Sequence, residues 1–286
     1  MMQIVPPNSD WIIGKHALMN LHVLKRNGRT EIDPKSWRIP YQWQGCHYQD
    51  NDDQPFLLTI NSGGGFVEGD AAELYATMEP DTRALITTTS ASKFYKCPNG
   101  ATSRETISLK VGPGALLEYY PDEAIMFANS RVERRTVIEL DRTASLFAID
   151  MVAAGRIHYG AGEAFMFKSL RSEFEIQVDR QTVLLDRLIA EDAEEIEALQ
   201  RLWGGASHLA TVVAVGDDLP PDLERQLEAA MQECKISASG ATRTGNIMIC
   251  RVLATEAWAC HEAIFRCWTV LRPYLAGKPA RPIRKC

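Results

Sequence analysis

Residue types that could do chemistry cluster at a few places in the chain. In T-T-T-S-A-S-K-F-Y-K, Ser90, Ser92 and Lys93 offer a Ser–Lys pair of the kind that activates a hydroxyl nucleophile. Enzymes that use S-x-x-K also carry S-D-N and K-T-G, and neither occurs here. A strand end bearing one lysine accounts for the same residues. In N-S-G-G-G-F-V-E-G-D, Gly63, Gly64, Gly65 and Gly69 resemble a phosphate cradle. A P-loop ends in a lysine and a hydroxyl residue that open a helix. Gly69 is followed instead by Asp70, whose charge repels phosphate, and then by the strand-like A-A-E-L-Y-A-T-M. The glycines are therefore expected to allow positive φ or close backbone approach in a crowded strand connection.

Cys46-His47 and Cys260-His261 are the nearest approach to a metal motif. Neighbours on an extended chain point to opposite faces, so Cys46 and His47 are poorly placed to chelate one ion. There is no C-x-x-C or H-x-x-x-H. Cys260 and Cys267 read as small apolar residues of a buried helix face. Asp70, Asp150 and Asp186 are a different signal, because each stands in or at the end of an apolar run. A carboxylate in such a place needs a partner or water. Arg156, Arg187 and Lys93 are candidate partners, and an internal polar path for a cation is the alternative.

The elements that hold these residues read as strands. A-A-E-L-Y-A-T-M-E-P-D-T-R-A-L-I-T-T-T is an alternating run, a turn and a second extended run. E-T-I-S-L-K-V-G-P-G-A-L-L-E-Y-Y-P, R-T-V-I-E-L-D-R-T-A-S-L-F-A-I-D and S-E-F-E-I-Q-V-D-R-Q-T-V-L-L-D-R-L repeat the pattern. The small residues after the turns are Ala84, Ala115, Ala144 and Thr182, at spacings of 31, 29 and 38 residues. Alternation of this kind is the period of a half-buried strand. Units that cannot bury their own face tend to stack. Residues 1–190 are therefore read as layered antiparallel β structure, either a stack or an ordinary sandwich.

Beyond residue 190 the pattern changes, and residues 191–286 read as an α/β region packed on the β body. A-E-D-A-E-E-I-E-A-L reads as a solvated helical turn or linker, H-L-A-T-V-V-A-V-G as a buried strand, and L-P-P-D-L-E-R-Q-L-E-A-A-M as an amphipathic helix opened by prolines. N-I-M-I-C-R-V-L is a second strand. The stretch from Thr255 to Leu275 is a long helix. Thr255 is its expected cap, Trp258, Ile264, Phe265, Trp268 and Leu271 its expected apolar face, and Pro273 is expected to disturb the last turn.

The 286 residues carry a formal charge of −6, which argues against nonspecific nucleic-acid binding. M-M-Q-I-V-P-P-N-S-D shows no signal peptide, no apolar run reaches membrane-spanning length, and seven scattered cysteines fit reduced thiols. A cytoplasmic protein without membrane contact is expected.

The ordered set N-S-G-G-G-F-V-E-G-D, A-L-I-T-T-T-S-A-S-K-F-Y-K, V-G-P-G-A-L-L-E-Y-Y-P-D-E-A-I-M-F, D-M-V-A-A-G-R, G-E-A-F-M-F and L-L-D-R-L resembles the urease accessory protein family UreD, also called UreH. M-I-C-R-V-L-A-T-E-A-W and F-R-C-W-T-V-L-R-P-Y-L-A-G-K-P-A-R-P near the end, Trp11 to Gly14, and N-G-R-T agree with it. The resemblance implies a mainly β fold of stacked, β-helix-like sheets. It implies a non-enzymatic scaffold and metallochaperone that works with UreF and UreG to insert nickel into apo-urease. No tightly bound cofactor is implied, only transient Ni²⁺ passing along an interior polar tunnel. The matching positions are Asp70, Ser92, Lys93, Asp150 and Asp186. Glu68 stands where the family usually has glycine, so positive φ is not expected there, and its acid is a candidate for the tunnel mouth. Asp186 replaces the usual glutamate, and R-P-I-R-K-C lacks the usual aromatic finish. Two alternatives remain open: a β-solenoid adaptor without metal transit, and a hydrolase using Ser92 and Lys93.

Overall fold

The computed structural model describes residues 14–49, 53–283 and 285. Trp11, the N-terminal stretch read for a signal peptide, Arg284 and Cys286 lie outside the described residues. The chain opens with a hairpin, β1 (His16–Arg26) and β2 (Arg29–Arg38). Its two-residue turn is Asn27-Gly28, both at positive φ, as the twist of a tight hairpin requires. Short strands β3 (Tyr41–Gln42) and β4 (His47–Tyr48) lead to β5 (Pro55–Asn61). The glycine-rich loop follows.

Three coils come next. β6 (Ala71–Met78) passes to β7 (Arg83–Thr88) and the short β8 (Ser92–Phe94). β9 (Ser103–Val111) passes to β10 (Leu116–Tyr120) and β11 (Ala124–Met126). β12 (Arg131–Leu140) passes to β13 (Ser145–Ala153). The first strand of each coil joins a seven-stranded sheet and the second joins an eleven-stranded sheet. The stack closes with the hairpin β14 (Ser169–Val178) and β15 (Gln181–Ala190).

The mainly β, stacked architecture matches the expectation, but the pairing inside the stack corrects it. β6, β9, β12 and β14 run parallel to one another, as do β5, β7, β10 and β13. Antiparallel pairs occur at the ends, in β1–β2, β14–β15 and the C-terminal strands. The cause is that every turn sends the chain across to the other sheet, so each coil returns in the same direction. Ala71 beside Arg104 and Ser103 beside Val132 give coils of 33 and 29 residues. Thr82, Ala115 and Ala144 are the stacked post-turn residues, since Leu116 N–H donates to the Thr82 carbonyl and Ser145 N–H to that of Ala115. Ala84 sits two places further on, beside Leu117. The fourth rhyming unit is not a coil. Asp179 and Arg180, both at positive φ, fold it back as the β14–β15 hairpin.

The C-terminal region continues the eleven-stranded sheet. α1 (Ala193–Leu202) is capped by the Asp192 carboxylate, which accepts from Glu195 N–H. β16 (His208–Val215) is buried throughout and pairs with β13. α2 (Leu223–Gln232) follows the Pro220-Pro221 pair. β17 (Ala238–Thr244) and β18 (Ile247–Ala254) complete the sheet, and α3 (Ala257–Ala276) ends the fold. One apolar core fills the space between the sheets, and a second lies between the eleven-stranded sheet and helices α2 and α3. Ile264, Trp268 and Leu271 face that second core, whereas Trp258 is half exposed. Glu256, not Thr255, occupies the N-cap of α3, and the helix runs through Pro273 to a left-handed Gly277.

A buried ion pair fixes α3. Glu118 on β10 accepts from Trp268 Nε1 at 2.6 Å, Arg272 Nε at 3.0 Å and Gln54 Nε2 at 2.7 Å. Glu118 and Arg272 are both almost fully buried. The carboxylate is thus shared by three donors, which is the condition for a charge to persist in a core.

Candidate functional site

Parallel in-register stacking puts equivalent positions of successive coils side by side. Glu105 of β9 therefore lies beside Arg134 of β12, which lies beside Ser172 of β14. In the opposite sheet Asp150 of β13 lies beside Thr211 of β16, and Thr211 beside Arg251 of β18. These two rows form a polar file through the apolar space between the sheets.

Arg134 is its centre. Its guanidinium donates to Glu105 Oε2 at 3.0 Å, to Asp150 Oδ1 at 2.9 Å and to Ser172 Oγ at 3.2 Å. Burial opposes the Arg134 charge, but the attraction of Asp150 and Glu105 outweighs it and holds its pKa above the ordinary value. Ser92 Oγ donates to Glu105 Oε1 at 3.2 Å. On the far side of Asp150, Asp186 accepts from Thr211 Oγ1 at 2.8 Å and pairs with Arg251 at 2.7 Å. Arg251 is half exposed, so this end of the file meets solvent at the open end of the stack. Three carboxylates face two guanidinium ions, leaving the file one charge negative.

Two cavities lie along it. One of about 40 Å³ is lined by Ser92, Glu105, Arg134, Tyr41, Tyr119 and Asp122, among others. One of about 10 Å³ is lined by Asp150, Ser172, Asp186 and Thr211, with apolar neighbours. Since a water needs roughly 10–15 Å³ of such space, the first has room for water and the second is at the lower limit for one. Arg134 stands between them. Burial, followed by the nearby Glu105 charge, raises the pKa of Tyr41 and Tyr119, so these phenols stay neutral. The file is polar and anionic, with no thiolate or imidazole among the side chains that form it.

Of the five positions expected for the ion path, Ser92, Asp150 and Asp186 are in the file. Lys93 is not, because neighbouring strand residues point to opposite faces and Ser92 shares its face with the buried Phe94. The Ser–Lys pair of a hydrolase is therefore not assembled. Asp70 lies off the file. Its carboxylate, almost fully buried, accepts from Lys15 N–H at 2.6 Å and Val67 N–H at 3.0 Å and closes the turn that starts β6. The partners suggested by proximity in sequence are also corrected: Asp150 pairs with Arg134 and Asp186 with Arg251, whereas Arg156 pairs with Glu163 and Arg187 with Glu173. Adjacent residues such as Asp186 and Arg187 leave opposite faces of a strand and cannot meet.

The glycine loop behaves as its composition predicts. Gly64, Gly65 and Gly69 have positive φ, and a Cβ on Gly65 would lie 2.5 Å from the Lys93 carbonyl oxygen. Glu68 is not at positive φ. It accepts from the backbone N–H groups of Asn99 and Ala101, both at 2.8 Å, and from Asn99 Nδ2 at 2.9 Å, so it clips the turn before β9 and does not line either cavity of the file.

Glu105 and Arg134 were not singled out by sequence. The available signal was parity: each occupies an inward position in strands whose other inward residues are mostly apolar, Ile107, Leu109 and Val111 in one and Val132, Ile138 and Leu140 in the other. In the sequence His261 stands out only as half of the Cys260-His261 pair, without its carboxylate partners. Cys260 points into the helix core, and burial, then the nearby Glu123 charge, pushes its thiol up to about 12. His261 points the other way, 2.8 Å from Glu123. Among the described residues no helix is long and apolar enough to cross a membrane.

Known proteins agree with the resemblance. A model of the UreD urease accessory protein family matches residues 15–285. A urease accessory protein UreD of Pseudomonas paraeruginosa is 30% identical over 277 residues, 94% of each chain. One of Lachnoclostridium phytofermentans is 26% identical over 272 residues, covering 91% of this chain and 97% of its own. One of Nostoc punctiforme is 27% identical over 266 residues, 93% of each. With the family match extending from the first strand to the end of the described chain, the protein belongs to the UreD urease accessory protein family.

Proposed function

We propose that the protein is a non-enzymatic urease maturation factor that joins UreF and UreG homologues on apo-urease in the cytoplasm and passes nickel along its interior polar file. The observation that carries the reading is the file itself: carboxylates spaced across an apolar core beside two small cavities, open to solvent at Arg251. A conduit must hold an ion weakly enough to release it. Clustered imidazole and thiolate bind Ni²⁺ tightly, whereas scattered carboxylates and waters bind it loosely. Ser92, Glu105, Asp150 and Asp186 supply the loose kind. Arg134 fills the position between the cavities, so an ion moving through takes over the carboxylates as the guanidinium swings aside. Asp70 acts through the backbone it holds, and Lys93 lies outside the path.

Family membership supports the maturation role, and the separation of Ser92 from Lys93 weighs against the hydrolase. The competing reading is a β-solenoid adaptor that assembles partners without carrying metal. Co-expression of tagged protein with UreF, UreG and urease subunits tests the assembly. Recovery of all partners with the tag is expected, and a tagged chain that elutes alone would remove the scaffold role.

A further inference from the structure

Asp122 and Glu123 sit in the loop between β10 and β11. The loop is fixed at both ends: Asp122 N–H donates to Thr88 Oγ1 at 2.8 Å, and the Glu123 carbonyl accepts from Ser92 N–H at 2.9 Å. From α3, His261 Nε2 comes within 2.8 Å of Glu123 Oε2. One ligand atom from each of Asp122, Glu123 and His261 lies within 4.8 Å of the others, and all three side chains are partly buried. Lys285, from the C-terminal tail, places its ammonium 2.5 Å from Asp122 Oδ1. A cation is therefore already held at this spot. Other His–carboxylate pairs, His16–Glu73, His22–Glu79 and His158–Glu256, bring no third ligand among the described residues.

We infer that Asp122, Glu123 and His261 form a binding site for a borderline divalent metal ion, with Lys285 as the cation that occupies its place when the metal is absent. Two carboxylates and one imidazole suit Ni²⁺, Co²⁺ or Zn²⁺ rather than Ca²⁺ or Mg²⁺, which take oxygen alone. Bonds of about 2.0–2.2 Å space such ligands by about 3–4 Å, so small rotations of the three side chains close the site. Cys260, although adjacent in sequence, contributes nothing, since it is buried in the helix core. His208 is buried and bonded through Nδ1 to Ser207 Oγ at 2.9 Å. Asp122 also lines the larger interior cavity, which puts the site beside the file without making it part of the Arg134 network. The inference shares only the class of ion with the proposed nickel path.

Co²⁺ titration of the metal-free full chain, followed by its visible absorption, tests the site. One Co²⁺ per chain with an imidazole-containing spectrum is expected, displaced by Ni²⁺ and not by Mg²⁺. Glu123→Gln and His261→Gln each weaken binding at least about tenfold, as loss even of outer-shell partners does. Lys285→Met tightens it at least about fivefold, the effect of one charge roughly 4 Å away in water. Asp186→Asn, which cuts the interior file, leaves Co²⁺ affinity unchanged and so separates this site from the nickel path. Parental affinity in folded Glu123→Gln and His261→Gln overturns the assignment. If those variants do not fold, unchanged or weaker binding by Lys285→Met overturns it.

Discussion

Replacing Arg134 with Met removes the cation that pairs with both Glu105 and Asp150. The two ion pairs span 3.0 and 2.9 Å, and Arg134, Glu105 and Asp150 expose at most 15% of their side chains. A charge pair with centres about 4 Å apart at an effective dielectric constant of about 20 attracts by about 4 kcal/mol. Two pairs would give twice that, but the variant no longer desolvates a guanidinium, and the neighbouring cavity lets water reach the orphaned acids. Breaking a buried pair costs about 3–5 kcal/mol, and we expect a loss in that range. With an unfolding entropy of about 0.6 kcal/mol/K for 286 residues, Tm falls by about 5–8 °C. Circular dichroism melts of parent and variant measure the difference. Glu105→Leu/Arg134→Met/Asp150→Leu, which removes all three charges, recovers most of the stability. A loss below about 1 kcal/mol would refute the reasoning and mean that the file is screened by bulk water.

Glu118→Ala leaves Arg272, Trp268 Nε1 and Gln54 facing a buried gap, so chemical denaturation should register a loss of about 3–5 kcal/mol; a change under about 1 kcal/mol would mean that α3 is held by packing alone. Gly65→Ala must fit a Cβ 2.5 Å from the Lys93 carbonyl at a φ of +146°, a strain of order 1–3 kcal/mol that a thermal melt reads directly; parental Tm would contradict the close approach. Burial pushes the Glu68 carboxyl up, but the N–H donors of Asn99 and Ala101 outweigh this and bring its pKa below 4.5. Its contribution is thus present above pH 4.5 and lost as pH falls through the lower folded value. Glu68→Gln should flatten the acid limb of the stability curve, and an unchanged limb would show that the clip has no bearing on acid stability.

Much of the β body could be read from alternation, which located the paired runs of each coil. Alternation has the same period in parallel and antiparallel sheets, so it could not give strand direction. The spacing of the rhyme held that information, because a chain that crosses between sheets at every turn must return parallel. The last unit broke the rule through Asp179-Arg180, where a left-handed Arg180 makes a hairpin that its side chain does not advertise. Asp150 and Asp186 stood out as acids in apolar runs. Glu105 and Arg134 did not, because both lie in strands rich in charge and only the register shows which charges point inward. The partners of His261 were hidden: Cys260 turns into the core, and the carboxylate that meets the imidazole comes from a loop more than a hundred residues earlier.

The nickel content of urease matured in the presence of variants tests the interior path most directly. Asp150→Asn and Asp186→Asn each remove one carboxylate, and Ser92→Val narrows the larger cavity and removes its hydroxyl while leaving every charge in place. Metal analysis of purified urease should show less nickel per active site for each variant, with UreF and UreG still recovered alongside the protein. Full nickel loading by all three, with the assembly intact, would contradict an interior path and leave the protein an adaptor that carries no metal.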